Sequence, residues 1–329
     1  MSHRTQVRII AFNPNGRVLA TAGDWNQGVL WDQAGREVAR LAHAKGRLMT
    51  MAFTPDGTRV ATGGQDRTAR LWDLAGTELR TFVHPGTVMA VAFVPGAERL
   101  MTACWDKTVH LWDLEGRRVF QVKHSAGAKA LAISGDGQLA AVTGGSIVRI
   151  WDMDGQEVAH MRHPGGLLTS LSSVAFSPDG RHLVSRADTK VAVVWNIEGL
   201  AVARMSHEGV IRAAAFSPDG LHLATGSEDK TARLWDLAGQ EVLRIRHIGT
   251  VSPLAFSADG SYLVTNSVDH TVRLWTWAGK EIARQRHGLA LTALAISPDG
   301  RLLATASADK QVRLWAMPGP MSTDPAPLV

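Results

Sequence analysis

The sequence predicts an all-β fold, in which eight small antiparallel sheets close into a ring and the last sheet is incomplete. Three observations predict it: one residue pattern recurs, each copy divides into short strand-like segments, and no copy could bury its apolar faces alone. The clearest marker is a tryptophan that returns every 39 to 44 residues, at Trp31, Trp72, Trp112, Trp151, Trp195, Trp235, Trp275 and Trp315.

One repeat, residues 211–247, shows the pattern. An apolar run, IRAAAF, ends at the turn SPDG, where Pro218 presets φ and Gly220 permits a left-handed residue. The segment LHLAT follows, then the polar turn GSEDK, and TARLW alternates polar with apolar residues as a half-buried strand does. A further glycine turn leads to EVLRIR, which alternates again. Each repeat is therefore predicted to form four short antiparallel strands, a unit called a blade below.

A blade of four strands of about five residues has two broad faces and too little interior to offset chain entropy. Stacking the blades buries both faces, and closing the stack covers the first and last ones. We expect one domain over residues 1–317, with the near-apolar first strands innermost and buried on both sides, and a Pro-rich flexible tail over 318–329. The predicted blades cover residues 3–42, 43–83, 84–123, 124–162, 163–206, 207–246, 247–286 and 287–317.

The repeats resemble WD40 repeats over residues 3–317, most closely those of prokaryotic proteins. Trp-Asp ends the third strand at Trp31, Trp72, Trp112, Trp151 and Trp235, whereas Asn196, Thr276 or Ala316 follows the other tryptophans. The family usually has Gly-His before the first strand, and this chain has the histidine without the glycine. These histidines are His3, His43, His84, His124, His163, His207, His247 and His287. The resemblance implies an eight-bladed WD40 β-propeller of four-stranded blades.

The resemblance also implies a bonded network in each complete blade. The histidine bonds to an Asp in the turn between the second and third strands and to a Thr that reaches the Trp indole. Five sets are present: His43, Thr62, Asp66, Trp72; His84, Thr102, Asp106, Trp112; His207, Thr225, Asp229, Trp235; His247, Thr265, Asp269, Trp275; and His287, Thr305, Asp309, Trp315. Blade four departs from this pattern with Val142 and Gly145, and in blades one and five the Asp (Asp24, Asp188) is displaced by one residue. We therefore expect the histidines to be structural and no metal to be bound.

This bonding requires the fourth-to-first loops and the second-to-third turns to share one end of the ring, called the top face below. Variable residues there are the predicted partner-binding site. Trp105 and Trp25 stand in exposed turns where no strand pattern needs a tryptophan, and Glu228 occupies the corresponding turn of blade six. The second residue of each first strand faces the channel mouth and includes Arg8, Met49, Met89, Lys129 and Arg212. Cations after the turn Asp, Arg67 and Lys107 among them, make this face basic, so we expect an acidic protein or peptide ligand.

Composition narrows the function further. The net charge is +5, spread through every repeat, so neither a nucleic-acid partner nor a membrane is expected. No apolar run approaches about 18 residues and no signal peptide is recognisable, which favours a cytoplasmic location. Cys104 is the single cysteine and is expected to be a small buried apolar residue.

The innermost strands contain no Asp, Glu or His, and no catalytic motif is found, so an enzyme and a cofactor are not predicted. The sequence favours a non-enzymatic scaffold that binds protein or peptide. A regulatory or sensor module acting with a separate effector is the alternative, and a propeller hydrolase is a less favoured one.

Ring closure is the irregular feature. The eighth fourth strand is missing, and the tail PGPMSTDPAPLV has four prolines, which cannot donate to a sheet. We expect a monomer with an exposed edge at VRLWA that is available for association. Either a partner strand covers this edge, or packing of blade eight on blade one alone holds the ring shut. A truncated gene product would give the same pattern. The insertion around GGLLTSLSS in blade five is expected to protrude on the top face.

Overall fold

A computed structural model describes residues 1–165 and 169–319 of the chain. These residues form 31 strands, β1 to β31, arranged as eight antiparallel sheets, and the predicted all-β ring of eight blades is confirmed. The described part of the chain holds no helix with the length and apolar character that membrane crossing demands.

The first four blades each contain four strands. In blade one these are Val7–Phe12, Val18–Gly23, Gln27–Asp32 and Glu37–Ala42 (β1–β4), and in blade two Leu48–Phe53, Arg59–Gly64, Thr68–Asp73 and Glu78–Val83 (β5–β8). Blade three has Val88–Phe93, Arg99–Cys104, Thr108–Asp113 and Arg118–Lys123 (β9–β12), and blade four has Ala128–Ile133, Leu139–Gly144, Ile147–Asp152 and Glu157–Arg162 (β13–β16).

Blades five to seven repeat this plan and blade eight stops at its third strand. Blade five has Leu171–Phe176, His182–Ala187, Val191–Asn196 and Ala201–Ser206 (β17–β20), and blade six has Ile211–Phe216, His222–Ser227, Thr231–Asp236 and Glu241–Arg246 (β21–β24). Blade seven has Val251–Phe256, Leu263–Ser267, Thr271–Trp275 and Glu281–Arg286 (β25–β28), and blade eight has Leu291–Ile296, Leu302–Ser307 and Val312–Ala316 (β29–β31). The predicted three-stranded last blade is thus confirmed.

The core lies between adjacent blades rather than inside any one of them. The second and third strands are the most buried, and the repeat tryptophan of one blade packs against the blade before it. Trp112 of blade three, for example, shares a cluster with Leu71 and Phe82 of blade two, and its ring centroid lies 5.4 Å from that of Phe82. Each blade therefore depends on its neighbours for burial, as the single-repeat argument predicts.

The first strands are innermost, and β1 contacts β29, which closes the ring between blades one and eight. The expectation that these strands are buried on both sides is wrong: most of their residues are only half-buried. They line the central channel, so one face of each strand remains partly open.

The edge of blade eight is not fully exposed, contrary to the sequence-based expectation. The chain's first three residues run antiparallel to it: the Met1 amino group donates to the carbonyl of Val312, and the amide of Val312 donates back to Met1. The amide of His3 donates to Lys310, and Ser2 bridges Gln311. This pairing was not predicted because three residues are too few to show the alternation of polar and apolar residues that marks a strand.

The rest of the blade-eight edge, Arg313–Ala316, pairs with no fourth strand within the described residues. Below it, the Met317 amide donates to Arg301 and the Tyr262 hydroxyl donates to Gly319. Of the predicted tail, residues 320–329 lie outside the described part of the chain, as does the centre of the blade-five insertion, residues 166–168.

Candidate functional site

The top face is assembled by bonds between the turn after each second strand and the adjacent fourth-to-first loops. The amide of Gln65 donates to the carbonyl of Arg47 in the loop of its own blade, and the amide of His84 donates to the carbonyl of Arg67. Turn and loop therefore lie at one end of the ring, in the arrangement that the histidine–aspartate pairs require.

Five residues that follow the turn Asp have left-handed backbone conformations. Their φ angles lie between 64° and 75°, at Arg67, Lys107, Lys230, His270 and Lys310, and Gly145 in the shorter turn of blade four also has a positive φ, of 57°. In that shorter turn Ser146, rather than Gly145, accepts the bond from the next repeat histidine, as Arg67 and Lys107 do. Such φ angles are uncommon outside glycine. The turn therefore determines the backbone conformation of these residues. The Arg67 and Lys107 side chains are exposed on the top face.

Two blades form the complete network. In blade six, His207 Nδ1 lies 2.8 Å from Asp229, its Nε2 lies 2.7 Å from the Thr225 hydroxyl, and the Trp235 indole donates to that hydroxyl at 2.7 Å. Blade two repeats these bonds at 3.0, 2.8 and 2.8 Å through its set of four residues, His43, Asp66, Thr62 and Trp72.

Blades seven and eight keep the lower half of the network and lack the histidine–aspartate bond. His247 and His287 reach Thr265 and Thr305, and those hydroxyls accept from Trp275 and Trp315. The carboxylates bind arginine from the third strand, as they also do in blades two and six: Asp269 pairs with Arg273 at 2.7 Å and Asp309 with Arg313 at 2.8 Å. His247 Nδ1 has no partner in the described residues, and His287 Nδ1 faces Arg313.

Blade three departs further from the expected network. Trp112 donates to Thr102 at 3.1 Å, but His84 turns its Nδ1 to the Cys104 sulfur at 3.4 Å, and Asp106 accepts from Thr108. The predicted His84–Thr102 and His84–Asp106 bonds are absent here. Cys104 stands where other blades have glycine, alanine or serine. Its sulfur replaces the Asp carboxylate as the partner of His84 Nδ1.

Blades one and five, whose turn Asp is displaced, form part of the same hydrogen-bond network. The Trp31 indole donates to Thr21, which also contacts His3, and the Trp195 indole donates to Ser185. Sequence reasoning did not single out Thr21 or Ser185, although both stand ten residues before their tryptophans, as Thr62 does.

Burial keeps most of these histidines neutral. Desolvation lowers the pKa of His84 to about 3 and that of His247 and His287 to about 4, well below the ordinary value of 6.5. Burial alone would raise the pKa of Asp229, but hydrogen bonds from Thr231 and His207 lower it to about 2. At neutral pH the network of blade six thus joins a neutral imidazole to a carboxylate.

The channel mouth is less basic than the sequence indicated. Arg8 pairs with Asp24 at 2.8 Å, and Arg47 contacts the same carboxylate. Arg212 pairs with Glu228 at 2.6 Å and with Asp188 at 2.8 Å. Arg8 and Arg212, two of the three predicted cations, are therefore paired with carboxylates of neighbouring turns. Glu228 is occupied by its ion pair with Arg212.

Lys129 is the exception among those three cations. Its ammonium donates to the Ser170 hydroxyl at 2.7 Å and lies 5.7 Å from the centre of the Trp105 ring. Trp105 is 53% exposed, and its ring packs over Gly127, where a Cβ atom would stand 3.2 Å from the indole. An exposed indole with an adjacent cation is a surface that can contact both apolar and acidic groups.

Met49 and Met89 lie on neighbouring first strands, half-buried, next in the ring to the strand of Lys129. Together Met49, Met89, Trp105 and Lys129 are called the blade-three patch below. Thioether side chains adapt their shape to varied apolar ligands. The structure therefore brings four of the predicted residues together on one side of the channel mouth.

Trp25 is less accessible than Trp105. It is half-buried, the Arg4 guanidinium lies 5.1 Å from its ring centre, and it lines a small pocket with His3 and Arg40. Of the two predicted aromatic anchors, Trp105 is the one presented to solvent.

Sequence reasoning missed a second apolar group on the top face. Ile248 is 75% exposed in the loop that opens blade seven, Val268 occupies the turn of the same blade, and Leu289 lies in the loop of blade eight. One signal was available: Ile248 is the single large apolar residue at the position directly after the repeat histidine.

Comparison with protein families gives a match to the model described as "WD domain, G-beta repeat" at residues 1–32, 35–73, 76–113, 157–196, 201–236, 241–276 and 280–316. The unmatched stretch 114–156 contains most of blade four, where Val142 and Gly145 replace the network residues. Among solved structures, the chain is similar to the computationally designed Ika8 protein. That likeness has a TM-score of 0.82 and 22% identity, covering 96% of this chain and 98% of that one. No curated protein matches the sequence.

Proposed function

The chain belongs to the WD40-repeat family, and from that premise we propose that it is a non-enzymatic scaffold which binds a protein or peptide through the blade-three patch. A propeller holds its top-face side chains on a rigid ring of strands, and rigid presentation lowers the entropy lost on binding. The observation that carries the proposal is the exposed Trp105 ring beside the Lys129 ammonium.

The chemistry of the patch indicates what it would recognise. Trp105 and the two methionines offer apolar contact, while Lys129 offers a positive charge that no carboxylate engages within the described residues. Arg8 and Arg212 already face carboxylates and contribute less to an acidic ligand. We therefore expect an extended segment with an apolar side chain next to an acidic one.

Selection from a displayed peptide library, followed by affinity measurement, tests this function. Peptides selected on the wild-type chain should bind Trp105→Ala and Lys129→Glu variants about 10- to 100-fold more weakly, as expected for an interface anchor. Trp277→Ala is the matched control, because Trp277 is also partly exposed but stacks on Phe256 in a third-to-fourth turn, away from the top face.

Equal affinity for Trp105→Ala and wild type would contradict the proposed patch. Loss of binding in Trp277→Ala alone would move the site to the opposite face. Selection of peptides without acidic residues, still dependent on Trp105, would retain the anchor and refute the acidic preference.

A further inference from the structure

Blade three contains a buried cluster with no counterpart in the other blades over residues 1–165 and 169–319. His84, Cys104 and His110 are each at most 3% exposed, and one donor atom from each lies within 4.8 Å of the other two. The His84 and His110 rings meet edge-to-face at 4.9 Å, and both pack against the ring of Trp112. Two imidazoles and a thiol thus converge in a buried site.

The cluster arises from two replacements at repeat positions. Cys104 ends β10, where blades two and six have Gly64 and Ser227. His110 is the third residue of β11, where the same blades have Arg70 and Arg233, each paired with the turn Asp. Blade three therefore has an imidazole where these blades have an arginine, and a thiol where they have glycine or serine.

The imidazoles are not satisfied by the protein alone. His84 Nδ1 faces the Cys104 sulfur and His110 Nε2 bonds to the Thr108 hydroxyl at 2.9 Å. The other ring nitrogens, His84 Nε2 and His110 Nδ1, are buried without a hydrogen-bond partner in the described part of the chain, and such atoms are costly.

We propose that His84, Cys104 and His110 form a closed binding site for a soft, thiophilic metal ion, best fitted by Cu⁺. Thiolate and imidazole are the ligands that Cu⁺ and other soft ions prefer. Three ligands with no solvent-exposed position suit an ion that accepts three-coordination, whereas Zn²⁺ usually takes four ligands.

Charge favours the monovalent ion. On binding, the Cys104 S–H bond breaks, a sulfur–metal bond forms, and the proton leaves to solvent, with no change in oxidation state. One thiolate, two neutral imidazoles and Cu⁺ give zero net charge. A divalent ion would leave one positive charge on the three-ligand centre, offset only by the nearby Asp106 carboxylate outside the ligand set.

The geometry requires only a small contraction. Metal–ligand lengths of about 2.0 to 2.3 Å place ligand atoms roughly 3.5 Å apart. The Cys104 sulfur and His84 Nδ1 are already 3.4 Å apart. The His110 ring, on the neighbouring strand, is the group that must approach.

The test uses the full-length reduced chain under anaerobic conditions. Cu⁺ is supplied as its bicinchoninate complex, and transfer to the protein is followed by loss of the complex's colour, by metal content after desalting, and by thiolate-to-copper absorption. Wild type should retain about one Cu⁺ per chain. Cys104→Ser and His110→Arg should each weaken binding about 100-fold or more, since loss of even an outer-sphere partner costs 10- to 100-fold.

Both substitutions reproduce residues of other blades in this chain, Ser227 and Arg233, so the variants should fold. His160→Asn, which removes an exposed rim histidine, is the matched control and should bind as wild type does. Failure of wild type to retain Cu⁺ or Zn²⁺, or equal retention by Cys104→Ser, would overturn the site. Retention of Zn²⁺ in preference to Cu⁺, lost in both variants, would support the site and overturn its assignment to a monovalent ion.

Discussion

The amino nitrogen of Met1 lies 3.0 Å from the carbonyl oxygen of Val312, so residues 311 positions apart in sequence are hydrogen-bonded neighbours. The contact supplies the beginning of the fourth strand that blade eight lacks. Ring closure is therefore shared between β1–β29 packing and this short terminal pairing.

Deletion of residues 1–3 should destabilise the ring. The deletion removes backbone bonds to Val312 and Lys310 and the contact of His3 with Thr21. At about 1 kcal/mol net for each bond, the loss should be about 2 to 4 kcal/mol, measured by chemical denaturation and by a fall of several degrees in Tm. A Ser2→Ala, His3→Ala variant keeps the backbone pairing and should lose less. An unchanged Tm after deletion would show that blade packing alone closes the ring.

The histidine–aspartate pair of blade six should be energetically coupled, whereas the corresponding pair of blade seven should not. His207 and Asp229 are 2.8 Å apart, but Asp269 binds Arg273 and leaves His247 Nδ1 without a partner in the described residues. Double-mutant cycles with alanine variants should give a coupling of about 1 to 2 kcal/mol in blade six and below about 0.5 kcal/mol in blade seven. Equal couplings would refute the structural distinction.

The repeat and the strand order could be predicted because apolar periodicity and turn residues are local signals. The network could be predicted only in part. Asp229 and Asp269 stand in matching motifs and both pair with the third-strand arginine, yet only Asp229 also reaches its histidine, which depends on side-chain placement that no motif records. Cys104 and His110 are six residues apart on different strands, and their meeting with His84 follows from register rather than sequence spacing. The pairing of Arg212 with Glu228 was missed for the same reason.

Lys230 should tolerate glycine and reject a β-branched residue. Its φ of 68° is left-handed, a conformation that costs a side chain about 1 kcal/mol and suits glycine, as at Gly145. Lys230→Gly should change the free energy of unfolding by less than about 0.5 kcal/mol, since relieved strain offsets the added freedom of the unfolded chain. Lys230→Val should lower it by about 1 to 2 kcal/mol. Equal effects of the two variants in chemical denaturation would contradict this account of the turn.

Stability should fall as the pH decreases from about 6.5 to about 4, and His247 should contribute to that fall. Desolvation lowers the pKa of His247 to about 4 in the folded chain, whereas the unfolded chain keeps the ordinary value of 6.5. Between these values the unfolded state binds more protons, so the free energy of unfolding decreases with falling pH, by up to about 1.4 kcal/mol per pH unit for one histidine. His247→Gln removes that titration while leaving a group able to bond Thr265. We expect this variant to be less stable than wild type at pH 7 but to lose less stability on acidification. A slope in His247→Gln equal to that of wild type would show that His247 is not protonated on unfolding in this range.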